Sequence, residues 1–261
     1  MNEAELVLTH VLNCDRLFLY LNKDSSLSKD NAQVVSLILK RRILREPVQY
    51  ILGVTEFMGM KFKVDKRVLI PRPETEILVQ SAIEELKNIK NPSVLDIGTG
   101  SGCIAVSLAK HIPHSQITAV DISFEALKVA KDNARLNRVE EAQIKFIHSD
   151  LFSGLGNQKF DLIISNPPYV SIQELSVLAG ELSFEPALAL ETGLDGMDFY
   201  RRIIIQADSH LNTGGFLIFE VGLNQACKVR DLLKAREKFD FIRIIKDYNN
   251  ISRVIIAKKR I

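Results

Sequence analysis

The chain predicts an α/β protein: a mostly parallel seven-stranded sheet covered on both faces by helices, with a small helical bundle ahead of it. Three observations carry that reading. From Ser93 onward, short apolar runs alternate with stretches of helical length, the pattern of parallel strands joined by crossover helices. Before about residue 46, apolar residues recur instead at three- and four-residue steps. The last two apolar runs are linked only by residues 247–251, too short for a parallel crossover, so an antiparallel last strand is expected.

In chain order, Leu6, Val7, His10 and Val11, then Leu17, Phe18, Tyr20 and Leu21, mark short helices. Val34, Val35, Ile38, Leu39 and Ile43 mark a longer one, capped by Ser28 and ended by Pro47. Short helices cannot bury their apolar faces alone, so residues 1–48 are expected to form a bundle. The β-type residues of 54–65 flank Gly59 as a hairpin, and Pro71-Arg72-Pro73 forces an extended turn before a helix over 74–87. Residues 49–75 are read as a connector and 76–261 as the main domain. In that domain strands are expected at 93–97, 116–120, 143–148, 160–165, 216–221, 241–246 and 252–258. Helices are expected at 103–110, 124–137, 198–211 and 224–239, with Thr213-Gly214-Gly215 as a turn.

With 261 residues, there is room for one large domain or a medium domain with a smaller partner. A net charge of +2 is too small to make bulk attraction to nucleic acid a main function. Cys14, Cys103 and Cys227 are far apart and make no CxxC pair, which points to a reducing compartment. His111 and His114 have no carboxylate or cysteine cluster beside them, so no metal is expected. The amino terminus lacks a basic leader and a cleavage site, and no apolar stretch is long enough to span a bilayer; a cytoplasmic location without membrane contact is expected.

Asp96-Ile97-Gly98-Thr99-Gly100-Ser101-Gly102 lies where the first strand of the main domain turns into its helix. Glycines there permit positive φ and let a ligand approach the backbone. Asp121 ends the next strand, where an acidic side chain can accept from a ribose diol. Turn and acid together narrow the ligand to a nucleoside-containing cofactor. A nicotinamide-binding turn would read GxGxxG, but Cys103 holds the last position. The GxGxG spacing with Asp96 ahead of it resembles the first motif of Rossmann-like class I S-adenosylmethionine methyltransferases. That resemblance implies S-adenosyl-L-methionine as cofactor, with Asp96 near its methionine end and Asp121 on its ribose. It also implies that Asp150 receives the adenine amine and that Leu151 or Phe152 packs on the ring face.

The apolar run 160–164 ends in Ser165-Asn166-Pro167-Pro168-Tyr169, which resembles the (D/N)PP(Y/F) motif of methyltransferases acting on planar nitrogens. Such a nitrogen delocalises its lone pair and is a poor nucleophile. The Asn166 side-chain oxygen and the Pro167 carbonyl can hold both its N–H groups, and proline adds no competing donor. Tyr169 can stack on the flat group. Alignment of this kind can supply roughly 7–11 kcal/mol of a barrier. Asn166 is expected to touch cofactor and substrate alike; Pro167, Pro168 and Tyr169 complete the acceptor site. The motif alone leaves adenine N6, cytosine N4 and a glutamine amide open.

Val68-Leu69-Ile70-Pro71-Arg72-Pro73-Glu74-Thr75-Glu76, the glycine turn, Asn166 to Tyr169, and Phe184-Glu185-Pro186 with Ala187, Leu188, Gly193, Asp195 and Gly196 together resemble the HemK/PrmC family. These are N5-glutamine methyltransferases of peptide chain release factors. The resemblance covers essentially the whole chain. It implies methylation of the glutamine of the Gly-Gly-Gln loop in bacterial class I release factors, with the N-terminal helices docking the partner and no direct need for nucleic acid. Two alternatives stand beside it: a ribosomal-protein glutamine methyltransferase, whose members carry PRSP where this chain has Pro71-Arg72-Pro73-Glu74-Thr75, and an adenine-N6 nucleic-acid methyltransferase.

Overall fold

The computed structural model describes residues 2–170, 180–190, 193 and 195–261. Helices α1 (Glu3–Leu12), α2 (Arg16–Leu21), α3 (Lys29–Ile43) and α4 (Val48–Leu52) come first. Asn2 and Glu5 cap α1 reciprocally, while the Asp15 and Ser28 side chains accept backbone N–H groups at the starts of α2 and α3. Val7, Ile38 and Val48 form the bundle's buried centre, with Ile51 and Leu52 packed on it, so its apolar cluster runs past residue 48. Pro47 differs from expectation. Helix α3 has already ended at Ile43, and Pro47 instead opens α4, where its fixed φ and missing N–H suit a helix start.

Strands β1 (Val54–Phe57) and β2 (Met60–Lys63) form an antiparallel hairpin. Its two-residue turn, Met58-Gly59, has positive φ at both positions, the primed geometry that matches strand twist. Phe57 and Phe62 meet edge to face at 6.0 Å inside the main core, so the hairpin is fused to the sheet domain.

After α5 (Pro73–Leu86) come β3 (Ser93–Ile97), α6 (Cys103–His111), β4 (Gln116–Asp121), α7 (Phe124–Leu136), β5 (Ile144–His148) and β6 (Phe160–Ser165). Then α8 (Asp198–His210), β7 (Leu211–Glu220), α9 (Ala226–Ala235), β8 (Phe239–Lys246) and β9 (Ser252–Lys259) complete the described elements. The sheet order is β5-β4-β3-β6-β7-β9-β8, with β9 antiparallel to both neighbours. Successive strand residues serve opposite cores. Val94, Leu162 and Ile164 pack with α5 and α6, whereas Leu95, Ile163 and Leu217 pack with α8 and α9. Thr213-Gly214-Gly215 lies within β7 rather than in a turn before it. The register jumps there, from Phe160 opposite Leu211 to Leu162 opposite Phe216, so the glycines form a bulge. Among the described residues, no helix is long and apolar enough to cross a membrane.

Asn133 of α7 ties three parts together. Its Oδ1 accepts from the Lys63 N–H at 2.7 Å, and its Nδ2 donates to the carbonyls of Lys63 and Ser101 at 3.0 and 2.9 Å. The side chain is fully buried, so Asn133→Ala leaves the buried Ser101 carbonyl without this donor and opens two part-buried bonds to Lys63. We expect a loss of about 3 kcal/mol in urea denaturation. A loss below about 1 kcal/mol would show that the clamp adds little stability.

Candidate active site

Strand register gathers the site. Val120 pairs with Ile97, Ile97 with Ser165, and Ser165 with Phe219. The next residues, Asp121, Gly98, Asn166 and Glu220, therefore lie in a row along the carboxyl edge. The chain winds outward from β3 to β4 and β5, then returns to β6, so the row crosses the switch point where open α/β sheets bind ligands. A cavity opens there. Gly98, Gly100, Asp121, Asp150, Leu151, Asn166, Pro167 and Pro168 are in its wall.

The other expected turn residues stand behind that wall. Asp96 is fully buried and accepts from Thr99 Oγ1 at 2.6 Å; among the described residues its Oδ1 has no hydrogen-bond partner of good geometry. Thr99 and Ser101 are buried supports. Gly102 is needed for packing: at φ +78, a Cβ would lie 3.0 Å from Ala130 Cβ of α7. Asp121 is held by backbone, with Oδ2 accepting from Gly100 and Oδ1 from Ser123, both at 2.8 Å. Each oxygen keeps a lone pair for a diol.

Asp150, expected to receive the adenine amine, is in the cavity wall, and both of its oxygens accept from Arg202 Nη2, at 2.8 and 2.7 Å. Leu151 is the apolar wall residue, in a left-handed conformation at φ 51. Phe152 points elsewhere and stacks on His210 with ring centres 4.7 Å apart. Tyr169 also departs from its expected place. It is absent from the cavity wall; its ring lies against Gly222, and its carbonyl accepts from Gln225 Nε2 at 2.9 Å. The structure gives Tyr169 a bracing contact. Burial pushes its phenol up to about 12, so it is no base at neutral pH.

Several wall residues escaped the sequence reading. Val68, Leu69 and Arg67 enter from the segment before α5, Ile122 and Ser123 follow Asp121, and Phe199, Arg202 and Ile203 come from α8. Val68 and Leu69 stood in the Val68–Glu76 motif without an assigned role, and Ile122 left a signal as an apolar residue directly after the strand-ending acid. Thr75 and Glu220 were missed as a pair. Thr75 Oγ1 donates to Glu220 Oε2 at 2.7 Å, and Asn166 Nδ2 donates to Thr75 Oγ1 at 3.2 Å. The signal for Glu220 was one carboxylate in the run Phe216–Val221. Arg72 pairs with the buried Glu185 beside Pro186, another wall residue. Farther out, Arg42 of α3 holds both Glu3 and Glu181, linking the bundle to the segment that carries Glu185.

Burial raises the Asp96 carboxyl from 3.8 to about 7, the Thr99 hydrogen bond opposing and Asp121 adding to the rise. A raised acid stabilises the fold fully below its ordinary pKa and loses that contribution as pH climbs through the folded value. Asp96→Asn, which cannot ionise, should therefore gain on the parent protein between pH 4 and pH 8 in urea melts. A constant difference across that window would refute the assignment.

Two family models match the chain: the PrmC N-terminal domain over residues 1–53 and the methyltransferase small domain over residues 74–193. The Release factor glutamine methyltransferase of Geobacter sulfurreducens is 42% identical over 254 residues, 97% of this chain and 87% of that protein. That of Chlorobaculum tepidum is 41% identical over 260 residues, 96% of this chain and 87% of its own length. Among solved structures, the ribosomal protein L11 methylase of Lactobacillus delbrueckii subsp. bulgaricus aligns with a TM-score of 0.52 and 25% identity, over 73% of this chain and 81% of that one. The 16S rRNA N2 G1207 methyltransferase of T. thermophilus shares the fold, with a TM-score of 0.57 at 19% identity, over 79% of this chain and 50% of that one. With the carboxyl-edge site and near-full-length identity of about two residues in five, the chain belongs to the release factor glutamine methyltransferase family.

Proposed function

We propose that this protein transfers a methyl group from S-adenosyl-L-methionine to the side-chain amide nitrogen of the glutamine in the Gly-Gly-Gln loop of class I release factors. The observation that carries the reading is the placement of Asn166-Pro167-Pro168 in the same cavity wall as the Gly98–Gly100 turn and Asp121. An amide acceptor and a nucleoside-type site thus share one space. The residues present suit the cofactor. Gly98 and Gly100 keep their backbone free of side chains at positive φ, Asp121 retains acceptor capacity, and the buried Asp96 carboxyl lies just behind the turn.

Gly98, Gly100 and Asp121 would hold the cofactor, with Ile122 and Leu151 flanking its base. Asp150 would reach the base edge while remaining paired to Arg202. When bound, the cofactor supplies an electrophilic methyl on a sulfonium. The chain's own part is orientation. Asn166 Oδ1 and the Pro167 carbonyl accept the two amide N–H groups of the substrate and fix the nitrogen's direction. Pro168 keeps the turn rigid, and Tyr169 braces it from behind. The nitrogen gains a methyl and gives up one proton to water, so no strong base is required.

In this reading, residues 1–48 dock the release factor, 49–75 connect, and 76–261 carry out transfer in the cytoplasm. Leu17, Phe18, Tyr20 and Leu21 leave an exposed apolar face on the bundle, in keeping with a protein partner.

Incubation with labelled cofactor and an unmethylated release factor should place the label on the Gly-Gly-Gln peptide in mass spectrometry. Label appearing only on a ribosomal protein or on DNA would displace this reading. Asn166→Ala should retain cofactor affinity while turnover falls roughly 10²-fold, measured by calorimetry and initial rates. Asp121→Ala should weaken cofactor binding first; unchanged affinity would argue against its ribose role.

A further inference from the structure

We infer that Glu220 is a positioning residue for the transfer: acting through Thr75, it sets which edge of the Asn166 carboxamide faces the cavity. This rests on the methyl-transfer reading above. Phe216, Leu217, Ile218, Phe219 and Val221 are all buried, and among them Glu220 is the single carboxylate, 2% exposed. Its place beside Asn166 follows from the pairing of Ser165 with Phe219.

An ionised carboxylate only accepts hydrogen bonds. It takes the one hydrogen of Thr75 Oγ1, at 2.7 Å. With that hydrogen committed, Thr75 Oγ1 offers Asn166 nothing but lone pairs. Asn166 must turn its NH2 edge toward Thr75, at 3.2 Å. Its oxygen is then left for the N–H groups of an incoming amide. Reversing the polarity at position 220 reverses the chain. A glutamine there can donate to Thr75, whose hydrogen then turns to the Asn166 oxygen. Asn166 would present NH2 to the substrate's own NH2, two donors with no acceptor between them.

Protonating Glu220 has the same effect as that substitution. Burial lifts its carboxyl to about 7, opposed by the hydrogen bonds from Thr75 and Asn166. Arg253 of β9 lowers it and Glu74 of α5 raises it. The other ionisable groups facing it are Tyr169 after β6, Tyr200 of α8 and Cys103 of α6. Burial raises all three, so they are neutral near pH 7. The relay therefore holds above about pH 7 and fails below it.

The test compares Glu220→Gln, Thr75→Val and Thr75→Ser with the parent enzyme, using an unmethylated class I release factor and labelled S-adenosylmethionine. Neither Glu220 nor Thr75 is in the cavity wall, so calorimetric affinity for the methyl donor should be preserved in all variants. Glu220→Gln and Thr75→Val should lower kcat roughly 10²-fold, the size of losing one pre-aligned hydrogen bond in a site. Thr75→Ser, which keeps the hydroxyl, should recover most of the loss. The parent's kcat should fall as pH drops through about 7, while that of Glu220→Gln should be flat.

A kcat for Glu220→Gln or Thr75→Val within about threefold of the parent overturns the inference, as does a loss confined to donor affinity. If Glu220→Gln fails to fold, the Thr75 pair and the parent's pH profile decide alone. A parent enzyme that leaves the release factor unlabelled overturns the proposed substrate, and this inference with it. Labelling by the parent with equal labelling by the variants overturns this inference alone.

Discussion

Parallel pairing of β3 with β4 and β6, and of β6 with β7, brings four strand ends level, and the site follows from that alignment. Both faces of these strands are buried, so a slip by one residue would turn each strand's apolar side chains toward the wrong core. The packing that holds the domain together therefore also determines which residues stand side by side at the carboxyl edge. Neighbouring positions in the row are separated in sequence by tens of residues, yet none needs a loop to place it. The bulge at Thr213-Gly214-Gly215 has a part in this. It absorbs the mismatch early in β7 so that the strand reaches Ser165 in step.

The same edge concentrates the polar groups that a core would ordinarily reject. Asp96, Glu185 and Glu220 are all buried carboxyls, each raised in pKa by burial. Among the described residues, Asp96 and Glu185 each keep one oxygen without a hydrogen-bond partner of good geometry. Leu151 adds a left-handed backbone that a leucine adopts only at a cost of about 1–2 kcal/mol. Unsatisfied oxygens and backbone strain are scarce in native interiors and gather where function is built. Here Leu151 is in the cavity wall and Asp96 lies directly behind it.

The sequence disclosed the elements whose meaning is local. Alternating apolar runs identified the seven strands, and the short final link foretold the reversed β9. The glycine turn and Asn166-Pro167-Pro168-Tyr169 could be read because glycine and proline constrain the backbone wherever they stand. What stayed hidden depends on separation. Thr75 and Glu220 meet across 145 residues, and Asn133 and Lys63 across 70. No spacing rule links such positions. Asp150 is similar: its role at a strand end could be inferred, its capture by Arg202 from another helix could not. Thr213-Gly214-Gly215 was misleading because glycines mark turns and bulges alike, and only the neighbouring strand decides between them. Tyr169 and Phe152 showed their type but not their direction, which packing sets.

Arg42 bridges Glu3 and Glu181 at the surface, beside an apolar cluster that Tyr50 of α4 and Phe184 of the 180–190 segment share. Exposed ion pairs are worth about 1 kcal/mol or less, close to thermal energy, and they exchange partners without breaking a core. The apolar cluster that Tyr50 and Phe184 share therefore contributes more to holding this joint than the charges around it. The same segment continues through Glu185 to Pro186 in the cavity wall, so one stretch of chain touches both the bundle and the reaction chamber.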